Sequence, residues 1–179
     1  MSSTLRSRMT GVSLVESSMV LAISTALVGF ALPGFNQAAS RRHLEGRAAE
    51  LATRIHEVRA TAVQLNRTVH LTFGAPGGPS CYVIHTGQRD GCSCDEEGMP
   101  VCSAESTLLG SGREGKRSTT RYSSNVSTMS FHPQFGTVTP TGTLTLRASD
   151  GLQARLIVNI MGRTRACGVV ASSAVVVDC

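Results

Sequence analysis

The chain of 179 residues is 41% hydrophobic but only 4% aromatic, and it contains no tryptophan. That length suits a single globular domain, while the scarcity of aromatic side chains excludes an aromatic base-stacking platform of the RNA-binding kind. The net charge of +5 comes from sixteen arginines and one lysine against twelve acidic residues, which modestly favours an anionic partner.

The N-terminus begins with a short polar segment, MSSTLRSRMTG, and continues directly into the apolar run VSLVESSMVLAISTALVGFALPGF. A secretory signal peptide places its small-residue cleavage site after the apolar run, whereas the small residue here, Gly11, precedes it. Residues 14–35 contain one ionisable group. They have about the length that a helix needs to cross a hydrocarbon layer of roughly 30 Å.

The ionisable group within the apolar run is Glu16. A carboxylate in a membrane helix is costly, so it normally marks a site with a specific partner. If the chain is cut between Gly11 and Val12, the new α-ammonium group lies one helical turn from Glu16. It can then pair with this carboxylate or with that of a neighbouring subunit.

The string GVSLVE at residues 11–16, with the apolar run that follows it, resembles the class III leader motif of type IV pilins and type II secretion pseudopilins. The resemblance implies that a prepilin peptidase cuts after Gly11 and methylates Val12, and that Glu16 guides the addition of subunits to a fibre. Valine stands where phenylalanine is commoner. An ordinary single-pass anchor would explain neither Glu16 nor the position of Gly11.

Pro33 and Gly34 predict a weakened or broken helix, because proline removes one backbone hydrogen bond and clashes with the preceding turn. The helix then resumes as an amphipathic segment, in which apolar residues recur in steps of four and three. This pattern predicts packing on the head instead of a coiled coil, because the period ends at Leu65. The stripe consists of Leu44, Ala48, Leu51, Ile55, Val58, Ala62 and Leu65.

The rest of the chain alternates in the manner of β-strands, with Asp150 and Gly151 predicting a hairpin turn between two of them. One long helix followed by antiparallel strands is an α+β arrangement, here a pilin-like helix packed on a sheet head. Loops are expected at 74–80 and 87–115, the second stapled by cysteines. The strand-like runs lie at 68–73, 81–86, 129–131, 136–139, 143–148, 154–161 and 175–177.

The predicted organisation has four parts. They are a leader at 1–11, a transmembrane and filament-core helix at 12–35, an amphipathic helix at 36–66 and an extracytoplasmic β-rich head at 67–179.

Residues 131–167 resemble the C-terminal half of the GspH/FimT group of minor pilins and pseudopilins. In that group a Phe-x-x-x-Gly turn precedes a hairpin that ends in a Gly-Arg-x-Arg signature, here GRTR at 162–165. The helix-to-strand passage ATAVQLNRTVHLTF also matches, so the resemblance covers most of the mature chain apart from 87–121. The FimT members resemble DNA receptors for natural transformation, which implies contacts from Arg163 and Arg165 to double-stranded DNA.

Arg163 and Arg165 alternate along a predicted strand, so they project from one face about 7 Å apart and can contact successive phosphates. The alternatives are that they are solvated, pair with Asp150 and Asp178, or serve in subunit contacts. Other basic residues are expected to add to the positive field. They are Arg147, Arg155, Arg113, Lys116, Arg117 and Arg121.

Six cysteines all lie downstream of the apolar segment, and an even number in an exported head predicts disulfide bonds. Cys167 and Cys179 bracket the C-terminal strands and would close a small loop, which resembles the C-terminal disulfide loops of pilins. The other four allow two more disulfides or a four-thiolate zinc site, although Cys-x-Cys differs from the usual zinc knuckle. These four are Cys81, Cys92, Cys94 and Cys102.

Nothing in the sequence supports an enzyme, a cofactor or a metal site, because the five histidines are scattered and no nucleophile-elbow, zincin or phosphate-loop motif occurs. The predicted function is that of a minor type IV pilin in the inner membrane, with its head in the periplasm before assembly into a pilus. Its predicted partners are prepilin peptidase, other pilin subunits and DNA. The alternative is a type II secretion pseudopilin in a periplasmic pseudopilus that moves exoproteins.

Overall fold

A computed structural model describes residues 13–115 and 118–171, without the side chains of residues 28, 30–34 and 169–171. The chain divides into two compact units, the first ending at Ala39 and the second beginning at Ser40. The predicted leader at 1–11, Val12 and the strand at 175–177 therefore lie outside the described residues.

Helix α1 runs without interruption over Leu14–Leu65, a length of 52 residues. The prediction that the helix is interrupted at Pro33 and Gly34 is wrong, because the backbone stays helical through both residues. Proline removes only one hydrogen bond from the helical ladder, and the bonds of the neighbouring turns maintain the helix.

The C-terminus of α1 is closed by a Schellman motif, in which a residue in the left-handed conformation follows the last helical turn. Asn66 has a φ of 48°. Its N–H donates to the carbonyl of Val63 at 3.2 Å, and the N–H of Arg67 donates to that of Ala62 at 3.2 Å. The predicted helix end at residue 66 is therefore accurate to one position, and the chain turns directly into the first strand.

The eleven strands of the described residues form three antiparallel sheets, which gives the predicted α+β class. The five-stranded sheet has the order β5-β2-β1-β7-β8, the four-stranded sheet β11-β10-β9-β6 and the hairpin β3-β4. The strands are β1 Val69–Phe73, β2 Cys81–Thr86, β3 Cys92–Cys94, β4 Pro100–Cys102, β5 Thr107–Arg113, β6 Thr120–Ser124, β7 Thr128–Phe131, β8 Val138–Thr139, β9 Gly142–Ala148, β10 Leu152–Val158 and β11 Thr164–Ala171.

The predicted stripe of α1 packs into the core of the second unit, with one exception. Leu44, Ile55 and Ala62 are at most 1% exposed, whereas Leu65 is 47% exposed. The helix ends at Leu65, so its side chain lies beyond the surface that the strands cover. The core joins this stripe to both larger sheets through residues such as Leu71, Met129, Phe131, Leu144, Leu146 and Leu156.

Strands occupy much of the region that the sequence predicts as loop 87–115. β3, β4 and β5 all lie within it, and β6 follows at 120–124. β5 has the sequence TLLGSGR, and most of its side chains are exposed. Its strand conformation comes from pairing with β2, in a register that runs from Cys81↔Arg113 to Thr86↔Thr107. The residues of β5 do not alternate between apolar and polar, so its own sequence does not predict this strand.

Candidate functional site

Along α1, the side chains of the first unit that the structure describes include many exposed apolar ones. Large apolar residues between 14 and 35 are exposed by 58–85%. A surface of this kind marks a site of contact with lipid or with another protein. The residues concerned are Leu14, Val15, Met19, Val20, Leu21, Ile23, Leu27 and Phe35.

Glu16 lies in the first turn of α1, and its side chain is exposed among these apolar residues. A carboxylate is favoured at this end of a helix, because the free N–H groups of the first turn carry partial positive charge. Gly11 and Val12 lie outside the described residues, so the pairing between the Val12 ammonium group and Glu16 stays a prediction. Among the residues that the structure describes, no helix is both long and apolar enough to span a membrane.

The outer surface of the four-stranded sheet presents one arginine from each strand, and we call these four residues the arginine face. They are Arg121 on β6, Arg147 on β9, Arg155 on β10 and Arg165 on β11, and all four are exposed. The alternate residues of these strands, such as Leu144, Leu146 and Leu156, are buried in the core. Because side chains alternate across a sheet, the arginines share the solvent side.

The register of the sheet determines how the arginine face is arranged. Arg121 lies directly opposite Arg147, while Arg155 lies opposite Thr145 and Arg165 opposite Ile157. With neighbouring strands about 4.8 Å apart, the four guanidinium groups are spread over a width of about 14 Å. The sheet thus brings together Arg121 with three arginines from the C-terminal hairpins.

Arg163 does not lie on the strand that the sequence assigns to it, because β11 begins at Thr164. It closes a tight turn that starts at Asn159. The Asn159 side-chain oxygen accepts hydrogen bonds from the N–H groups of Met161 and Arg163, each at 3.0 Å. Arg163 is exposed and, with its backbone position fixed, adjoins the arginine face at the end of β11.

No ion pair joins any of these five arginines to an acidic residue within 13–115 and 118–171. Three acidic side chains in the C-terminal part of the helix are already paired with helix arginines, in Arg41–Glu45, Arg47–Glu50 and Arg54–Glu57. The alternative pairing with Asp150 is wrong, because that carboxylate is engaged elsewhere. Hydrogen bonds from the Ser40 side chain and the Leu152 N–H hold the pKa of Asp150 below its usual value. Asp178 lies outside the described residues.

Arg113 is separate from the arginine face, since β5 belongs to the five-stranded sheet. Its guanidinium group donates to the carbonyl of Glu97 at 3.3 Å. It lines a cleft together with Arg121 of the arginine face and with the acidic residues Glu96, Glu97 and Glu114, so the surroundings of this cleft are of mixed charge. Lys116 and Arg117 lie outside the described residues.

The cysteines of the head form disulfides. Cys81 is bonded to Cys94, and Cys92 is bonded to Cys102. These bonds exclude the zinc alternative, because none of the four sulfurs is a free thiolate. Cys167 is also disulfide-bonded, while Cys179 lies outside the described residues.

No group of three or more potential metal-ligating side chains occurs among the residues that the structure describes.

Sequence reasoning missed a contact between α1 and the two glycines of the C-terminal motifs. The Arg59 guanidinium group donates from Nε to the Gly136 carbonyl at 3.1 Å. Gly136 and Gly162 have φ values of 60° and 69°, and an added Cβ on either would strike Arg59. Beside this contact, Thr164 Oγ1 lies 3.0 Å from His56 Nε2. The sequence feature that could have predicted this contact is the pair of glycines, one in the Phe-x-x-x-Gly motif and one in the Gly-Arg-x-Arg motif.

An amphipathic helical segment packed on antiparallel sheets in a disulfide-bonded head defines a pilin-type structural protein. Residues 47–162, more than half of the chain, match the family model of the type II transport protein GspH. The chain belongs to this family, which is one of pilin- and pseudopilin-type subunits and not of enzymes.

The solved structures that resemble the chain include two crystal forms of the type IV minor pilin FimU from Pseudomonas aeruginosa strain PAO1. The form in space group P21 is 19% identical, with a TM-score of 0.49, over 70% of this chain and 88% of FimU. The form in P65 is 18% identical, with a TM-score of 0.48, over 73% and 95%. A comparison with curated proteins found no match.

Proposed function

We propose that the chain is a minor type IV pilin, which prepilin peptidase cuts after Gly11 and methylates at Val12. Residues 12–35 hold it in the inner membrane with the head in the periplasm, and then join it to other subunits in the fibre. The observation that carries this proposal is the exposed apolar surface of α1, with Glu16 at its start. Lipid covers such a surface before assembly, and neighbouring helices cover it afterwards.

Replacement of Glu16 tests this proposal. We expect Glu16→Ala to lower incorporation into fibres roughly tenfold, because a charge-assisted contact is lost, while the amount of chain in the membrane is unchanged. Immunoblots of sheared fibres and of membranes measure both quantities. Ser18→Ala, a change at an exposed position two residues along the same helix, is the matched control.

N-terminal sequencing of the mature chain provides the second measurement. We expect an N-methylated Val12 as the first residue. A mature chain that begins elsewhere, or a Glu16→Ala variant that assembles as well as Ser18→Ala, would refute the assignment as a processed pilin.

The match to the GspH family model favours a second assembly, the pseudopilus of a type II secretion system. The two assemblies differ in what a deletion abolishes. Loss of pilus-dependent DNA uptake with intact exoprotein secretion supports the pilin, and the reverse result supports a pseudopilin that moves exoproteins.

The arginine face favours an additional role in binding double-stranded DNA for uptake. Exposed arginines that lack acidic partners among the described residues can make bidentate contacts to phosphates. Such contacts give affinity without sequence preference. Arg163 and Arg165 come from the Gly-Arg-x-Arg signature, so they are the first residues to test.

We expect the double variant Arg163→Gln/Arg165→Gln of the full chain in detergent to bind duplex DNA more weakly, irrespective of sequence. The slope of log affinity against log salt should fall by about 2, since each phosphate contact contributes about 0.9. Retardation of labelled duplexes at several salt concentrations measures this slope. Arg42→Gln, an exposed helix arginine, is the control, and a wild-type chain that retards no DNA at low salt excludes this role.

A further inference from the structure

A surface cleft of about 350 Å³ opens where β6 and β9 meet the glycine-rich connection between β1 and β2. Arg121 and Arg147 line it, together with the hydroxyl-bearing residues Ser123, Thr145 and Ser149. Ser123 lies directly opposite Thr145, in the row next to the arginine pair. The cleft therefore combines two cations with several neutral hydrogen-bond donors.

Arg121 and Arg147 face each other directly across two antiparallel strands. Like charges in this arrangement destabilise a sheet unless an opposite charge lies between or beside them. Within the described parts of the chain, neither guanidinium group has an acidic partner. Glu96, Glu97 and Glu114 line the adjoining cleft together with Arg121, but none of them forms an ion pair with it among the described residues. Glu114 is bound to Arg47 and accepts a hydrogen bond from the Ser118 hydroxyl at 2.7 Å.

We propose that this cleft binds a phosphate group between the guanidinium groups of Arg121 and Arg147. A phosphate has several acceptor oxygens in a tetrahedral arrangement, and each planar guanidinium group can hold two of them. The hydroxyl groups of Ser123, Thr145 and Ser149 provide further donors for the remaining oxygens. A carboxylate, with two oxygens in one plane, would leave most of these donors unused.

The phosphate comes from one of two sources, free inorganic phosphate or the backbone of a polynucleotide. The cleft lies on the β6 side of the sheet. Arg165, on the opposite edge strand, is level with Thr143 of β9, so it lies about 14 Å away across the strands and about 13 Å away along them. A DNA backbone that crosses the arginine face would meet both places. Binding of phosphate in the cleft does not require the proposed role in DNA uptake, because it depends only on the local donors.

Titration of the full chain in detergent with inorganic phosphate, at an ionic strength held constant with chloride, tests the site. We expect saturable binding by calorimetry that is at least roughly tenfold weaker in Arg121→Gln/Arg147→Gln, which loses two charge-assisted contacts. Arg42→Gln and Arg163→Gln/Arg165→Gln should bind phosphate as the wild type does. Ser123→Ala, a small change at an exposed position, should weaken binding without altering thermal unfolding.

The proposal is overturned if the wild-type chain binds phosphate no better than chloride, or if Arg121→Gln/Arg147→Gln binds it unchanged. Duplex DNA forms the second arm of the experiment. Competition between DNA and phosphate, together with weaker DNA binding by Arg121→Gln/Arg147→Gln, identifies the polynucleotide backbone as the source. Phosphate binding by a chain that does not retard DNA identifies free phosphate, and in that case only the proposed DNA role fails.

Discussion

At the scale of single residues, Arg59 explains why two glycines are present in the C-terminal half of the chain. A Cβ on Gly136 would lie 2.5 Å from Arg59 Nε, and one on Gly162 would lie 2.9 Å from both Arg59 Cδ and the Gly136 carbonyl oxygen. Both glycines also have positive φ values, which other residues adopt at a cost. The glycine of the Gly-Arg-x-Arg signature thus makes room for a helix side chain beside the loop that presents Arg163.

We predict that Gly162→Ala lowers the free energy of unfolding by about 1–3 kcal/mol, because it adds backbone strain and a collision with Arg59. Gly168→Ala is the matched control, since a Cβ there meets none of the described atoms within 4 Å and its φ is not positive. Thermal unfolding followed by circular dichroism compares the two variants. Equal midpoints for them would show that the contact with Arg59 has no energetic importance.

At the scale of secondary-structure elements, β1 and β2 are joined by a buried pair of histidines. His70 lies opposite His85 in the register, and the ring centroids are 5.3 Å apart. His70 Nδ1 is 2.9 Å from Ser130 Oγ, and His85 Nε2 is 3.1 Å from Thr72 Oγ1. Burial lowers the pKa of both imidazoles. The charge of Arg89 lowers the pKa of His70 further, whereas the charge of Asp90 raises the pKa of both histidines in part.

We predict that the second unit loses stability as the pH falls below about 6.5, the ordinary pKa of histidine. Between that value and the lower folded pKa, the unfolded chain binds more protons, so the free energy of unfolding decreases with falling pH. Urea unfolding at several pH values measures the effect. His85→Gln should flatten the profile, while His43→Gln, at an exposed helix position, should leave it unchanged.

At the scale of the whole molecule, the sequence predicts the α+β class and the strands whose apolar residues alternate. β2 begins and ends at the predicted residues, and the hairpin at Asp150 and Gly151 joins β9 to β10 as expected. The glycine-rich strand β5 and the short hairpin β3-β4 could not be predicted, because partner strands and disulfides stabilise them instead of their own alternation.

The candidate site shows the same division between local and non-local information. Alternation along a strand predicts which arginines share a side of that strand, but not which strand lies beside it. Arg121 therefore came together with Arg147 only through the pairing of β6 with β9. The cysteine connectivity was equally hidden, since four cysteines allow three pairings.

The disulfides Cys81–Cys94 and Cys92–Cys102 overlap along the chain, because Cys92 lies between Cys81 and Cys94, and Cys94 lies between Cys92 and Cys102. A polypeptide that emerges N-terminus first into an oxidising compartment exposes Cys81 and Cys92 before their native partners. An oxidase acting in that order would couple the wrong thiols. We therefore predict that a head exported in this way reaches its native pairing through thiol–disulfide exchange, and that cells lacking a disulfide isomerase accumulate scrambled subunits, which non-reducing electrophoresis would detect.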